Sequence, residues 1–483
     1  MWNSRRAGLL AAACSMGLMA GLSTAAQGET LKDAIALAYQ TNPTLQRQRA
    51  LTRAGDEGVV QAKTAFRPAL SASASVSGSR TDLANSTTLS TSKSSGSGAS
   101  LALTQPLFTG GRASAALTAA EADVLSGRED LRSVEQSILI NVIQAYVDVR
   151  RDQERLRIAQ ENVQVLTRQL EESNARFEVG EITRTDVAQS QARQAAARAN
   201  LSSTQAILEV SRANYAAVVG QNPVDLAPEP SLAALLPATI EQAFDASDRN
   251  NPDVRSALYA EQSAAARVAQ ARALRNPTVS ARASLGWDAG ESNGVGDQFR
   301  DYDRNLTGSI TASVPIFTGG LNNSEIRAAR ERENAARIAV EGAKRVVLRS
   351  VASAWSNLLA ARANLVSNEE QVRATRIAFE GVRQEQQVGL RTTLDVLNAQ
   401  QELRNAEQAL VTARRDEYVA GASVLQAMGA LDVAVLAPDI EAYDPKTSYD
   451  RVTHGFGWVP WESVVQVIDK LGAPSTAVRN PTK

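Results

Sequence analysis

The sequence VGLRTTLDVL stands at 388–397, and a related sequence, VGEITRTDV, stands at 179–187. In each, a glycine interrupts a long helical pattern, a threonine follows three residues later, and an aspartate lies three residues beyond that threonine. Glycine ends a helix by adopting the left-handed conformation, while threonine and aspartate cap the next helix and favour its positive end. Each sequence therefore predicts the tip of a helical hairpin.

The two tips belong to a duplication. Gly180 and Gly389 are 209 positions apart, and the same offset relates further sites. These are Asn42-Pro43 with Asn251-Pro252, Pro68 with Pro277, the sequence PLFTGG at 106–111 with PIFTGG at 315–320, and Gly220 with Gly429. A constant offset over 30–220 and 239–429 predicts two structural repeats, 27–220 and 239–430, without net insertion.

The composition favours extended helices over a globular core. Aromatic residues make up 4% of the 483 residues, and much of the 43% hydrophobic content is alanine, which fits helix seams. The formal net charge of −1 gives no reason to expect nucleic acid as a partner.

The first residues predict export. Arg5 and Arg6, an apolar run at 8–22 and small residues at 23–26 form the parts of a secretory signal peptide over 1–26. The alternatives are a short membrane anchor, lipid attachment at Cys14 and twin-arginine export. With Cys14 inside this segment and a single histidine, His454, the chain offers no catalytic constellation, and we expect no enzyme, cofactor or metal site.

Each repeat contains a predicted strand pair, at 69–108 and 278–317. The helical pattern of 31–66 and 240–275 stops before a proline, and apolar and polar residues then alternate with a period of two. The polar segments 79–98 and 288–304 are expected to be exposed loops between the strands. The alternatives are two surface hairpins on a soluble body or strands of a membrane barrel.

Four strands cannot close a barrel, since small barrels begin at about eight strands. Unpaired strand edges are excluded from lipid, so membrane strands would have to be shared between chains. Three copies would give a barrel of twelve strands with an open interior.

Two long helices are predicted at 112–178 and 321–387, where proline is absent. At a rise of 1.5 Å per residue, each would be about 100 Å long. Apolar residues at strict sevens predict coiled-coil pairing, and they are Val142, Val149, Leu156, Val163, Leu170 and Phe177, then Val351, Leu358, Leu365, Val372 and Phe379. The return helices 182–219 and 391–429 are half as long, so each should meet a helix of 31–66 or 240–275 end to end. The linker 221–238 and an irregular tail at 431–483 are expected to pack around the midsection.

Taken together, the duplicated pattern and its motifs resemble the TolC family of outer-membrane exit ducts over about residues 30–430. The resemblance implies a mainly α fold with a β-barrel part: a homotrimer whose twelve strands form a barrel in outer-membrane lipid and whose helices form an α-barrel across the periplasm. It implies partners as well, namely a periplasmic adaptor and an inner-membrane ABC or RND transporter. The tail from Tyr443 through Tyr449 and Val452 resembles members that serve type I secretion.

The resemblance also implies a gate at the tips. At the matching positions stand Asp186, Arg391 and Asp395, which would allow a link between Asp186 and Arg391 and a ring of three Asp395 carboxylates. Asn398 stands where some members have a second acidic ring, and Gln386 where some have tyrosine. A carboxylate ring at a constriction attracts cations. From the residues alone, the alternative is that both aspartates simply cap helices.

Further site residues follow from the resemblance at the tips and at the barrel-to-helix junctions. The adaptor-docking tips would be Val179, Gly180, Val388, Gly389 and Leu390, and the junctions Pro68, Pro106, Gly110, Gly111, Pro277, Pro315, Gly319 and Gly320. For the tips, the alternative is that glycine merely turns the chain.

We therefore expect a passive conduit for type I protein secretion or efflux of small toxic compounds. A periplasmic coiled-coil scaffold or adaptor without a pore is the alternative, although it leaves the strand pairs without a role. Dependence on detergent after extraction would separate the two.

Overall fold

The computed structural model describes residues 28–85, 88–292, 294–455, 457 and 459–472. The predicted signal peptide at 1–26 lies outside these residues. The helices are α1 (Leu31–Thr41), α2 (Pro43–Lys63), α3 (Arg112–Glu178), α4 (Arg184–Val219), α5 (Ile240–Asn250), α6 (Pro252–Arg272), α7 (Leu321–Gln387), α8 (Thr393–Ala427), α9 (Val433–Leu436), α10 (Pro445–Thr453) and α11 (Glu462–Lys470). The strands are β1 (Ala69–Asn85), β2 (Thr88–Phe108), β3 (Thr278–Ser292) and β4 (Asp303–Ser313). Short 3-10 helices at Thr64–Phe66 and Ala273–Arg275 lead into β1 and β3.

The two long helices dominate the molecule. Both α3 and α7 contain 67 residues, and α3 packs along α4 as α7 packs along α8. The heptad residues Val142, Val149, Val351 and Leu358 are completely buried, whereas Phe177 near the tip is 43% exposed. The seven-residue pattern therefore marks the packed seam, which opens toward the end of α3.

The short helices meet the return helices end to end, as the lengths predicted. Asn42 caps α2 by accepting from Thr44 N (3.0 Å), and its Nδ2 donates to Val218 O at the end of α4 (3.0 Å). In the second repeat, Asn251 caps α6, and its Nδ2 donates to Ala427 O at the end of α8 (3.0 Å). Each asparagine thus satisfies backbone groups at the ends of two different helices.

The strands form one antiparallel sheet in the order β1-β2-β3-β4. Its central pair joins the two repeats, with Leu101 of β2 opposite Leu285 of β3. One face carries exposed apolar side chains, which include Leu70, Val76, Leu101, Leu103, Leu306 and Ile310. Strands β1 and β4 lie at the two edges.

The sheet corrects the predicted loop at 79–98, because β1 and β2 remain paired as far as Asn85 and Thr88. Polar side chains bond across this region: Ser79 and Ser94 hydroxyls lie 3.3 Å apart, and Thr91 donates to Asp82 (2.6 Å). Backbone pairing does not require apolar side chains, so a prediction based on alternating apolar and polar residues could not detect these polar strand segments. In the second repeat the connection is also shorter than 288–304, and β4 ends at Ser313 rather than at 317.

The described part of the tail departs from prediction as well, since it contains three helices and does not remain at the midsection. Its first part does pack there, with Leu431 and Val433 buried in the main hydrophobic core beside α1 and α3. Helix α10 then packs on α2, and α11 reaches the end of β2 and the start of α3. The tail therefore runs from the midsection to the barrel-to-helix junction.

Candidate functional site

The first tip is a left-handed turn between α3 and α4. Gly180 has φ of 78°, and its N–H donates to Phe177 O (3.0 Å) while Glu181 N donates to Arg176 O (2.9 Å). This pattern satisfies the last carbonyls of α3 in the manner of a Schellman motif. A Cβ at Gly180 would meet no atom within 4 Å, so the positive φ, and not crowding, favours glycine.

The second tip repeats this geometry between α7 and α8. Gly389 has φ of 81°, and its N–H donates to Gln386 O (3.0 Å), while Leu390 N donates to Glu385 O (2.9 Å). Space around Gly389 is open too. The duplicated sequences therefore fold into the same turn.

The charges that brace the two turns have opposite polarity. In the first tip Arg176 at the end of the long helix donates to Glu181 in the turn (3.1 Å). In the second tip Glu385 occupies the equivalent helix position and accepts from Arg391 in the turn (2.8 Å). The turns are alike in backbone but present different charge patterns at the surface.

Asp186 and Asp395 cap the return helices. Asp186 Oδ2 accepts from Thr183 N (3.0 Å) and Oγ1 (2.7 Å), and Asp395 Oδ2 accepts from Thr392 N (3.0 Å) and Oγ1 (2.8 Å). Each aspartate N–H bonds back to its threonine hydroxyl, which completes a capping box. The hydrogen bonds from the Thr392 backbone and side chain hold the pKa of Asp395 below its usual value, so the carboxylate is charged at neutral pH.

The remaining predicted gate residues do not converge within one protomer. Among the described residues, no hydrogen bond or ion pair joins Asp186 to Arg391, whose carboxylate partner is Glu385. Asn398 accepts from Arg193 Nη2 (3.0 Å), which ties α8 to α4 near the tips. The asparagine thus holds two return helices together.

Apolar side chains project from both tips. Val179 and Val388 are each 71% exposed and Leu390 is 75% exposed. Valine and leucine side chains that stay in water do not stabilise the fold of an isolated chain. Clustered exposed apolar residues commonly mark interaction surfaces.

The junction residues lie where strands give way to helices. Pro68 and Pro277 stand directly before β1 and β3, Pro315 follows the end of β4, and Pro106 stands where the register between β2 and β3 shifts. The glycine pairs precede the long helices, and all have positive φ: Gly110 at 70°, Gly111 at 87°, Gly319 at 61° and Gly320 at 89°. Glycine is therefore required for the turn into each long helix.

Sequence reasoning missed Asp469, which holds the first junction. This completely buried carboxylate of α11 accepts from Thr109 N (2.7 Å), Gly111 N (3.2 Å) and Ser114 N (3.1 Å), and from the Thr109 and Ser114 hydroxyls (2.8 Å each). Burial raises its pKa, but the hydrogen bonds outweigh burial and the pKa lies below the usual range. Its partners are more than 350 positions away in the chain, so no local pattern revealed the contact.

Two features are absent from the described ranges, a metal-ligand cluster and a membrane-spanning helix. No group of three or more His, Cys, Asp or Glu side chains in these ranges is arranged to hold a metal ion. Similarly, none of the helices in those ranges combines the length and the apolar character that crossing a membrane requires.

Both structural repeats match known proteins. A family model described as "Outer membrane efflux protein" matches residues 34–221 and 245–430. The chain is 34% identical over 447 residues to outer membrane efflux protein BepC of Brucella suis biovar 1, covering 92% of this chain and 95% of that protein. It is 26% identical over 439 residues to outer membrane protein TolC of Escherichia coli K12, covering 86% and 85%. The crystal structure of the outer membrane protein VceC from Vibrio cholerae is similar in fold, with a TM-score of 0.69 at 23% identity over 83% of this chain and 96% of that one.

Proposed function

Since the chain belongs to the outer membrane efflux protein family, we propose the roles that its sheet and its tips have in an exit duct. The family is one of transport channels rather than enzymes, and the protein is an outer-membrane efflux duct that extends into the periplasm. The predictions of family, channel function and location are confirmed. The assembly, the gate and the docking surface are our proposals.

Three copies assemble so that β4 of one protomer pairs with β1 of the next. The observation that carries this proposal is the four-stranded sheet, which has one exposed apolar face and two edges that no other described strand pairs with. Lipid excludes unpaired edges, and four strands are too few for closure. A twelve-stranded barrel pairs every edge and turns the apolar face toward lipid.

The tips form the gate and bind the transport partners. In a threefold assembly, three charged Asp395 side chains would surround the axis and favour cations. Because Arg391 pairs with Glu385 within the protomer, a link from Arg391 to Asp186 would compete with that pair. The exposed Val179, Val388 and Leu390 would bind a periplasmic adaptor, through which an inner-membrane ABC or RND transporter supplies a protein or small toxic compounds.

The first experiment is planar-bilayer conductance of the detergent-extracted protein, with its oligomeric mass measured in the same preparation. A trimer that gives small, cation-selective currents would support the gated barrel. A water-soluble species without currents would contradict it and would favour the scaffold alternative.

A matched pair of variants tests the orientation of the sheet. Ile310 and Thr311 are adjacent in β4, both are exposed, and they point to opposite faces. Ile310→Asp should block assembly into the outer membrane, because a charge on the lipid face is unfavourable, whereas Thr311→Asp should be tolerated. Equal effects would contradict the proposed lipid-facing side.

A further inference from the structure

Helix α11 is fixed to the junction by one face. Val465 packs with Phe66 and Ala113. Glu462 forms an ion pair with Arg67, 2.9 Å from Nε, and both side chains are nearly buried. With Asp469 at the other end, the positions 462, 465 and 469 define the anchored face.

A second face of α11 is apolar and exposed. Val464 is 56% exposed, Val467 64%, Ile468 42% and Leu471 84%. Their spacing of three, four and seven places them in one stripe along the helix. The polar Ser463 and Lys470 are also exposed and lie to the side of this stripe. No described residue covers the stripe, so the anchored face alone does not account for the sequence of α11.

The position of Trp461 shows where this stripe lies. Its Nε1 donates to Gln105 Oε1 (3.0 Å). Gln105 continues the period-two series of Leu101 and Leu103 on the apolar face of β2. Helix α11 therefore lies beside the apolar face of the sheet at the end nearest α3, where the strands give way to the periplasmic helices.

We propose that the apolar stripe of α11 lies in the interface of the inner leaflet of the outer membrane, in contact with phospholipid. The contact between Trp461 and Gln105 makes the stripe continuous with the face that the barrel turns toward lipid, so this inference rests on the proposed barrel. Interfacial helices bury an apolar face about 5–10 Å into the headgroup and acyl boundary, and tryptophan is enriched at that level. A rival occupant is the second junction of a neighbouring protomer, where Ile316 is 96% and Phe317 88% exposed.

Spin labels on the full chain distinguish these surroundings. Cys14, in the predicted signal peptide, is the only cysteine, so single labels are introduced by Val464→Cys in the stripe and Ser463→Cys beside it. The two positions differ by about 100° around the helix at nearly equal height. Ile310→Cys supplies a reference on the sheet. The assembled protein is placed in nanodiscs of phosphatidylethanolamine and phosphatidylglycerol, and collision rates with oxygen and with a water-soluble nickel complex are measured.

The proposal expects the ratio of oxygen to nickel collisions to be severalfold higher at position 464 than at 463, and higher still at 310. Low collision rates with both reagents at 464 would place the stripe against a neighbouring protomer and overturn the proposal. Free access of nickel at 464, with 310 protected, would place α11 in water and overturn the proposal while leaving the barrel intact. Free access at both 464 and 310 would overturn the barrel as well.

Discussion

Replacing Asp469 with alanine should weaken the docking of α11 on the first barrel-to-helix junction. The carboxylate is the common acceptor for three backbone N–H groups, those of Thr109, Gly111 and Ser114, at the start of α3. A negative charge at this end also interacts favourably with the helix dipole. Removing it leaves all three donors without their partner.

The magnitude follows from those donors. A buried donor without a partner costs about 1–3 kcal/mol. Structural relaxation, or water that enters and bonds to the donors, would make the total for the three donors smaller than the sum of these costs. We expect α11 docking to weaken by roughly 3 kcal/mol, which corresponds to about a hundredfold change in the opening equilibrium. Asp469→Asn retains one acceptor oxygen and should have about half this effect in free energy.

Hydrogen exchange measured on the assembled protein provides the assay. The Asp469→Ala variant should exchange faster in peptides that cover 106–116 and 462–472. The duplication supplies an internal control, because peptides over 315–325 report on the second junction, where no described carboxylate bonds to Gly320. Alanine at the exposed Asp450 controls for loss of charge in the tail. Unchanged exchange at 106–116 would refute the assigned role of the carboxylate.

The lowered pKa of Asp469 also sets a pH dependence. A carboxyl group whose folded-state pKa is lowered stabilises the fold above its unfolded pKa, near 3.9, and this stabilisation is lost as the pH falls through the folded-state pKa. After correction for intrinsic exchange, protection of α11 should be constant from pH 5 to 8 and decline only below about pH 4. A decline near neutral pH would require a different titrating group.

The tips and the helix joints give three further predictions. Arg391→Ser should raise single-channel conductance relative to Arg391→Lys. Asp395→Ala should weaken block of the current by divalent or trivalent cations. Unchanged currents in both variants would leave Arg391 with a bracing role and Asp395 with a capping role. Gly389→Pro should abolish export while the proposed trimer stays assembled, because proline cannot adopt φ of 81° or donate an N–H, whereas Gly389→Asn should retain export. Export by the proline variant would exclude this tip as the docking site. Asn42→Ala and Asn251→Ala should each lower the free energy of unfolding by about 1–2 kcal/mol, measured by thermal unfolding. Asn42→Asp keeps the cap oxygen and should lower it less. Equal decreases for Asn42→Ala and Asn42→Asp would show that the cap contributes little.

The helical part was predictable because its signals are local or periodic. The long helices coincide with 112–178 and 321–387, since glycine ends each range and proline is absent between. The return helices begin two residues later than expected, at Arg184 and Thr393, because the threonine before each remains extended as the cap. The heptad positions identified the buried seam, and the half-length helices indicated their end-to-end joints.

The rest depended on contacts that sequence spacing does not contain. The strands through 79–98 are held by backbone pairing between polar residues, so hydrophobic alternation could not delimit them. The ion pair of Arg391 with Glu385 arises because the left-handed Gly389 folds the turn back on α7. The composition of the tail gave no sign that Asp469 would reach the start of α3.

The differences between the repeats indicate what the duplication had to accommodate. Equal helix lengths and similar turns allow both repeats to form parts of the same α-barrel wall, but the two repeats do not have the same neighbours. Their braced tips carry opposite polarity, with Arg176 in one position and Glu385 in its equivalent. Their junctions differ because α11 packs on the first, whereas no helix among the described residues takes the equivalent place on the second. A wall built from identical repeats would offer every partner equivalent sites, whereas these differences make the two repeats distinguishable at both ends of the helical part.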